Sequence, residues 1–242
     1  DRLREFNADI LIPHHGHPVE GADKISKLLT DYRDAIQFVH DQTLRYMNKG
    51  YTSDEIKEVV TMPTRLQNHP WLGEFYGSYK HSIPAICVGD LGWYQGDPIT
   101  LEPTPWVERA QRYLDMMGGR ETVLARARDA LHGGDAQWAA ELATWVVRVD
   151  KSDAEARAVK ADALRVWAYN QKNATWRNWG LTSALELDGE LDQAGGGMVL
   201  GSPDQVKGFP LSAIMTVMTV RLKAEESLDT QIRVVFETTD SN

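Results

Sequence analysis

Asp135-Ala-Gln-Trp-Ala-Ala-Glu-Leu-Ala-Thr-Trp-Val-Val-Arg-Val149 is an alanine-rich stretch whose apolar residues recur at helical spacing. Similar stretches lie on both sides of it, and the sequence predicts four helices over residues 105–117, 120–132, 135–149 and 153–169. The breaks between them carry the residues that end and begin helices, namely Gly118-Gly119, Gly133-Gly134 and Asp150-Lys-Ser-Asp153. The chain is therefore predicted to be mainly α-helical.

Small side chains in these segments suit close contact between antiparallel helices, as in helical hairpins of the tetratricopeptide kind. The predicted contact positions are Ala139, Ala140 and Ala143 in one helix and Ala154, Ala156, Ala158 and Ala161 in the next. Such hairpins form a packed scaffold or a subunit interface.

The region before these helices begins with a long predicted helix over residues 21–48, which ends at Gly50. Its expected buried stripe consists of Ile25, Leu28, Leu29, Tyr32, Ile36, Val39 and Leu44. Thr52-Ser-Asp-Glu55 is typical of a new helix start, and Pro63 follows the short helix. Residues 66–105 are rich in Pro, Gly and aromatic residues, so we expect irregular structure there with one helix near residues 81–91.

The C-terminal quarter changes in composition. Gly195-Gly-Gly197 and Gly201-Ser-Pro203 indicate a linker or mobile loop within residues 188–208. An apolar helix is expected over residues 210–223, and a strand over residues 231–238. One helix and one strand do not make an independent domain, so the chain is expected to stop inside a small α+β unit.

Near the N-terminus, Ile10-Leu-Ile12 is predicted to be a short buried strand, and Pro13-His-His-Gly-His17 comes directly after it. Three histidines on a loop after a strand suit metal ligation, because neutral imidazole binds Zn²⁺. Adjacent histidines diverge in an extended chain, so one or two of the three are expected to face a single ion. The alternative is an ordinary histidine-rich surface turn.

Composition limits the classes of partner. The chain has 242 residues and a formal net charge of -9, which argues against a general nucleic-acid or anionic-membrane role. Its single cysteine, Cys87, excludes an internal disulfide and leaves the compartment open. No apolar stretch is long enough to span a membrane, and the start at Asp1 suggests a missing upstream segment.

A series of motifs across nearly the whole chain resembles the alkyl sulfatases of the metallo-β-lactamase fold. The matching motifs are Arg33-Asp-Ala35, His40-Asp-Gln-Thr-Leu-Arg45, Gly50-Tyr-Thr52, Tyr76-Gly77, His81, Leu91-Gly-Trp-Tyr-Gln-Gly-Asp-Pro98, Met117-Gly-Gly119, Gly134-Asp-Ala-Gln-Trp-Ala-Ala140, Trp176-Arg-Asn178 and Ala184-Leu-Glu-Leu187. They recur in the order that the family shows.

The resemblance implies three parts. Residues 1–20 would be the tail of an α/β metallo-β-lactamase-like catalytic domain, residues 21–190 an α-helical dimerisation domain, and residues 191–242 a linker and the incomplete start of an α+β sterol-carrier-like domain. The complete enzyme would be a homodimer that uses two zinc ions to hydrolyse alkyl sulfates to an alcohol and inorganic sulfate.

The resemblance also implies roles for single residues. His15, followed by Gly16, matches the last zinc-ligating histidine of the family, so this chain would supply at most one zinc ligand. The candidates for the substrate pocket are His17, Tyr76, His81, Trp93 and Cys87. For Tyr76, His81 and Trp93 the alternative role is core packing with satisfied polar tips.

Departures from the family pattern bear on the substrate. Relatives tend to read His-Asn and then Val-Tyr-Gln where this chain has His81-Ser82 and Ile86-Cys-Val88. A tyrosine there is suspected to help hold the sulfate, and Gly73-Glu-Phe75 also departs from the usual Arg-Gly-Tyr. We therefore expect a divergent member whose preferred ester differs from a simple primary alkyl sulfate.

The sequence leaves two hypotheses open. In the first, the chain is the C-terminal part of a zinc-dependent alkyl sulfatase, interacts with an upstream catalytic domain, and is inactive alone. In the second, it is a non-catalytic helical module that dimerises or binds amphipathic ligands, with Met215 and Met218 lining an adaptable apolar surface.

Overall fold

The computed structural model describes residues 2–94, 96–191 and 203–235, and it divides into two compact units, residues 1–191 and 192–242. The first unit begins with a 3₁₀ turn and a two-stranded antiparallel hairpin, which are Arg2–Phe6, β1 (Ile10–Leu11) and β2 (Val19–Glu20). Beyond the hairpin the first unit is mostly helical, as the sequence predicts.

The helices of the first unit fall into two groups. Those of the first half are α1 (Ala22–Met47), α2 (Ser53–Val59), α3 (Thr64–Gln67) and α4 (Tyr79–Leu91), and a 3₁₀ turn lies after them at Pro98–Thr100. Those of the second half are α5 (Trp106–Met116), α6 (Gly119–His132), α7 (Ala136–Val149), α8 (Ala154–Tyr169) and α9 (Ala174–Asp188). In the second unit the described helices are α10 (Pro203–Lys207), α11 (Leu211–Thr219) and α12 (Ala224–Ser227).

Local side-chain hydrogen bonds explain where several helices begin. Thr52 and Glu55 form a reciprocal capping box at the start of α2. Asp135 accepts the backbone N–H of Trp138 at the start of α7, and Asp153 accepts that of Ala156 at the start of α8. The predicted helix starts in this region are therefore fixed by short polar side chains.

The second half is a series of antiparallel hairpins in which α6 packs on α7, α7 on α8 and α8 on α9, and α5 packs on α7. Its main core includes Leu114, Leu124, Leu142, Ala143 and Val146. A second cluster contains Ala139, Ala140 and Ala163. The predicted close approach of alanine-lined helices is present.

The first half has its own cores. One cluster joins α1, α2 and α4 through Val39, Ile56, Val60 and Ile83. The other joins the β1–β2 hairpin to the start of α1, where Val19 packs with Ile25 and Leu28. The hairpin is thereby held on the helical part of the chain.

Several expectations about burial and elements are wrong in detail. On α1, Tyr32 and Ile36 are exposed, whereas Asp31, Ala35 and Thr43 are buried. The buried face of α1 differs from the predicted apolar stripe because α1 packs against the hairpin at one end and against α4 at the other. The apolar periodicity of the sequence therefore does not by itself predict which face is buried.

On α8, Ala154 and Ala158 lie exposed, and the buried alanines are Ala156, Ala161, Ala163 and Ala168. The strand at Ile10–Leu11 is not buried on both faces, because side chains alternate between faces. Leu11 packs on the core, whereas Ile10 and Ile12 are 59% and 76% exposed.

The differences from the sequence-based expectation include one helix and one strand. Helix α9 was not predicted, and residues 231–235 form no strand. The rest of that predicted strand, residues 236–238, and most of the predicted linker lie outside the described residues. A β-rich sequence without a paired neighbour has no ladder to stabilise it, which accounts for the irregular backbone at 231–235. Within the described ranges, no helix is both long and apolar enough to cross a membrane.

Candidate functional site

The three N-terminal histidines lie on the loop that connects β1 to β2. Backbone pairing fixes the hairpin by placing Ile10 opposite Glu20 and Leu11 opposite Val19. Gly16 at the tip of the loop has φ 105°, a conformation that side-chain-bearing residues rarely adopt. His14, His15 and His17 are all exposed on this loop.

The histidine loop packs against the segment between α3 and α4, residues 68–78. A Cβ atom at Gly16 would lie 3.3 Å from Cζ3 of Trp71, so a side chain there would crowd Trp71 as well as strain the backbone. His15 stacks on Tyr76 with ring centroids 5.7 Å apart, and His14 packs edge-on against His15 at 4.6 Å. Two aromatic side chains therefore position the loop.

Segment 68–78 is in turn fixed to the N-terminus of α9. The backbone N–H of Ala174 donates to the carbonyl oxygen of Phe75 at 2.7 Å, and the Thr175 hydroxyl donates to that of Tyr76 at 3.3 Å. Asn173 caps α9 by accepting the backbone N–H groups of Thr175 and Trp176. Residues about 100 positions apart in the sequence thus meet at Tyr76.

His81 joins the same region from the first turn of α4. Its ring packs edge-on against Trp176 at 5.9 Å, and Trp176 stacks on Trp167 of α8 at 6.3 Å. We call the group formed by His14, His15, Tyr76, His81 and Trp176 the histidine–tyrosine site. It combines three exposed imidazoles with an exposed phenol at one edge of the helical domain.

Trp93 and Cys87 are placed elsewhere. His81 and the end of α4 are ten residues apart, which is roughly 15 Å along the helix axis, and Trp93 lies past that end in contact with Tyr94 at 6.2 Å. Cys87 packs against the cluster of Val39, Ile56 and Ile83, and this burial raises the pKa of its thiol. His17 shares the loop of His15 and is exposed.

The buried carboxylate of Asp31 supports the histidine–tyrosine site indirectly. The sequence pattern did not single out this residue. Asp31 of α1 is only 3% exposed and accepts hydrogen bonds from Lys27 and Arg65. The hydrogen bond from Lys27, with help from Arg65, holds the pKa of Asp31 below its ordinary value despite the opposing effect of burial.

Asp31 also faces His69, whose Nε2 lies 3.5 Å from a carboxylate oxygen. The other ring nitrogen, Nδ1, accepts the backbone N–H of Trp71 at 3.2 Å. Accepting at Nδ1 favours the tautomer that carries its proton on Nε2 and points it at Asp31. Asp31 therefore orients His69, which holds the residue that packs on Gly16.

One sequence signal could have revealed Asp31. It lies three residues after Leu28 and four before Ala35, on the face of α1 that also carries Ile25 and Val39. A charged residue at a core position calls for partners. His69 and Trp176 carry no such signal, because their roles depend on contacts between distant segments.

The residues that the structure describes do not by themselves make a complete metal site. Across residues 2–94, 96–191 and 203–235, no group of three or more His, Cys, Asp or Glu side chains could hold a metal ion. A catalytic zinc typically takes three protein ligands. A full zinc centre therefore does not fit these residues alone, whereas a single exposed imidazole such as that of His15 fits a site completed by other groups.

The helical hairpins define the class of protein, an α-helical domain with a cluster of histidine and aromatic side chains at its edge. The alkyl sulfatase dimerisation family model matches residues 52–190, so the chain belongs to that family. A linear primary-alkylsulfatase of a Pseudomonas species is 44% identical over 247 residues, which cover 98% of this chain and 46% of that protein.

Two further relatives agree. An (R)-specific secondary-alkylsulfatase of a Pseudomonas species is 40% identical over 180 residues, covering 74% of this chain and 27% of that protein. The solved structure of the stereoselective inverting sec-alkylsulfatase Pisa1 from a Pseudomonas species matches with a TM-score of 0.84 and 33% identity, over 93% of this chain and 36% of that one. The chain thus spans less than half the length of these relatives.

Proposed function

We propose that this chain is part of an alkylsulfatase that hydrolyses alkyl sulfate esters to an alcohol and inorganic sulfate. Family membership and the names of the curated relatives support the reaction class. The observation that carries the role of this chain is the stacking of the exposed His15 on Tyr76, in a loop held by Trp71 and by the start of α9.

In this proposal His15 donates one imidazole to a zinc site whose remaining ligands lie outside the described residues. Stacking on Tyr76 limits the rotation of the ring, and the packing of Gly16 on Trp71 limits movement of the loop. A ligand held in advance loses less entropy when it binds. His17, Tyr76 and His81 would form nearby parts of the substrate pocket, with Trp93 and Cys87 as more distant candidates.

The test uses the full-length protein and dodecyl sulfate, with released sulfate and bound zinc as separate readouts. His15→Ala is expected to lower turnover by at least about 100-fold and to reduce zinc content, because a missing ligand leaves the ion underbound. His17→Ala is the matched control in the same loop and is expected to keep its zinc. Equal zinc content and turnover in the two variants would contradict the role of His15.

The ester class is tested with the same preparation. The resemblance places Cys87 and Ser82 where relatives tend to carry tyrosine and asparagine, so we propose that the preferred ester is not a simple primary alkyl sulfate; dodecyl sulfate is compared with a secondary ester such as octan-2-yl sulfate. A higher kcat/KM for dodecyl sulfate would contradict that preference without affecting the proposed reaction class.

One observation supports the alternative, a non-catalytic role. Helix α11 and the residues after it expose Leu211, Met218, Val220 and Leu222, as an amphipathic-ligand surface would. This alternative requires that the full-length protein binds dodecyl sulfate yet releases no sulfate. Measured turnover would exclude it as the main function.

A further inference from the structure

Three half-buried cationic side chains lie on neighbouring helices, Arg109 on α5, Arg148 on α7 and Lys160 on α8, where α7 packs against both α5 and α8. The guanidinium carbon of Arg148 lies 4.3 Å from the ring centroid of Trp106 and 4.9 Å from that of Trp145. The guanidinium carbon of Arg109 lies 5.0 Å from the same Trp106 ring. We call these three residues the cation cluster.

No carboxylate neutralises the cation cluster within the part of the chain that the structure describes. Acidic residues are absent three or four positions away from each of its members, where a helix would bring them into contact. Among the described residues none of the three forms an ion pair. By contrast, Arg112, on α5 with Arg109, pairs with Glu108, and Arg165, on α8 with Lys160, pairs with Asp162. The Nε atom of Arg109 is buried and has no hydrogen-bond partner among those residues.

Like charges are also close to one another in this cluster. Burial, and then the positive charge of Arg148, lower the pKa of Lys160. The chain carries 35 acidic and 26 basic residues, so counter-charges are plentiful elsewhere. Half-buried cations left beside each other without a counter-charge cost stability, and such an arrangement identifies a candidate binding site.

We propose that the cation cluster binds an oxyanion group, a sulfate, phosphate or carboxylate, beside the exposed ring of Trp106. Guanidinium groups donate paired hydrogen bonds to such anions, and Lys160 adds a third positive charge. The anion is either a free ion or the head group of an amphiphile whose apolar part lies on Trp106, which is 60% exposed. The site uses residues outside the histidine–tyrosine site and does not depend on the proposed hydrolysis.

The test is calorimetric titration of the full-length protein with sodium sulfate and with sodium decanoate, at constant ionic strength. Arg148→Gln is expected to weaken the binding of sulfate by roughly tenfold or more, since a hydrogen bond to a charged group is lost. Arg112→Gln is the matched control on α5, because Arg112 is exposed and already paired with Glu108. Its isotherm is expected to match that of the wild type.

The two sources of the anion give different results, and both support the site. If decanoate binds much more tightly than acetate and Trp106→Ala removes the difference, the ligand is an amphiphile head group. If decanoate and acetate bind equally, the ligand is a free ion. In both cases the binding must depend on Arg148.

Three results would overturn the proposal. In the first, neither probe shows binding that depends on Arg148. In the second, Arg148→Gln and Arg112→Gln give the same isotherm. In the third, Arg148→Gln changes only the mass measured by light scattering, which would make the cluster a contact with an acidic surface of a second copy. Circular dichroism of each variant confirms that the helices are intact.

Discussion

At the scale of single residues, Asp31 shows how a buried charge is kept in a helical core. Its carboxylate is surrounded by Lys27, Arg65 and His69, so the charge is compensated on several sides. The two basic partners remain largely exposed and would be rehydrated if Asp31 were lost. Loss of Asp31 is therefore expected to act mainly through its own buried position and its contact with His69.

Asp31→Asn is expected to lower the free energy of unfolding at pH 7 by about 1.5–3 kcal/mol, the usual loss for a hydrogen bond to a charged group. Urea denaturation measures this loss of unfolding free energy. Asp54→Asn is the control, because the pair between exposed Asp54 and Lys57 is a surface ion pair, for which we expect less than about 1 kcal/mol. A loss no larger than that of the control would contradict the role given to Asp31.

The same network predicts a pH dependence. The pKa of Asp31 is lower in the folded protein than its ordinary value of about 3.9. Its contribution is therefore fully present above about pH 4 and is lost as the pH falls through the folded pKa. The stability difference between wild type and Asp31→Asn should shrink in denaturation curves measured below that pH. An unchanged difference in acid would show that the carboxylate charge is not its source.

At the scale of helices, the hairpins depend on small residues at particular positions. Ala143 of α7 is fully buried in the main helical core, whereas Ala158 of α8 is exposed. The two residues are chemically identical, so their substitution separates packing from helix propensity. The sequence alone gives both the same expected role.

Ala143→Leu is expected to destabilise the protein by about 1–3 kcal/mol, because three extra carbon atoms have no space in a packed core. Ala158→Leu should change stability by less than about 0.5 kcal/mol, since its side chain meets solvent. Thermal unfolding followed by circular dichroism compares them. Equal melting temperatures would argue against the packing of α7 in this core.

Gly180 marks the close approach of α8 and α9. A Cβ atom there would lie 2.9 Å from Cβ of Ala168 and 3.2 Å from the ring of Trp167. In an exposed helix, glycine to alanine stabilises by about 1 kcal/mol. Here Gly180→Ala is expected to destabilise instead, by about 1–3 kcal/mol, because the helices must separate.

A double-mutant cycle tests the cause. Adding Ala168→Gly removes the methyl group that Gly180→Ala would meet, so the combined loss should be smaller than the sum of the two single losses. Urea denaturation of the four proteins gives the coupling energy. Strict additivity would mean that the two positions are not in contact.

At the scale of the whole molecule, the first unit leaves a run of apolar side chains exposed at the end of α4 and after it. They are Val88, Leu91, Trp93, Ile99 and Leu101. Several large apolar side chains exposed within one short segment indicate a surface available for a protein interface. The match of residues 52–190 to a dimerisation family includes this surface.

We expect the full-length protein to be a homodimer, with a mass in light scattering twice that of one polypeptide. Leu91→Gln should weaken the dimer, and dilution should reveal monomer at higher concentration than for wild type. Leu228→Gln is the control, because Leu228 is equally apolar and exposed but lies outside residues 52–190. A monomeric wild type would contradict the proposed dimer.

The helical hairpins could be predicted from sequence because their signals are local. Alanine-rich periodicity predicts α5 to α8, and the residues at the breaks, such as Asp135 and Asp153, make the capping bonds that begin α7 and α8. The motifs from Arg33 to Leu187 likewise identified the family, which the family match confirms. The location of the histidines on a loop after a strand was also correct.

The contacts that build the site could not be predicted, because they join distant segments. Stacking of His15 on Tyr76, the bond from Thr175 to Tyr76 and the packing of His81 on Trp176 depend on how α1, α4 and α9 are arranged in space. The roles of Asp31 and of Arg148 depend likewise on their neighbours. Sequence by itself determined helices α5 to α8, since hydrogen bonds within a helix and its caps are local, and it determined the family through its motifs. Only the tertiary structure decided which side chains meet, because burial and charge compensation are set by packing between elements.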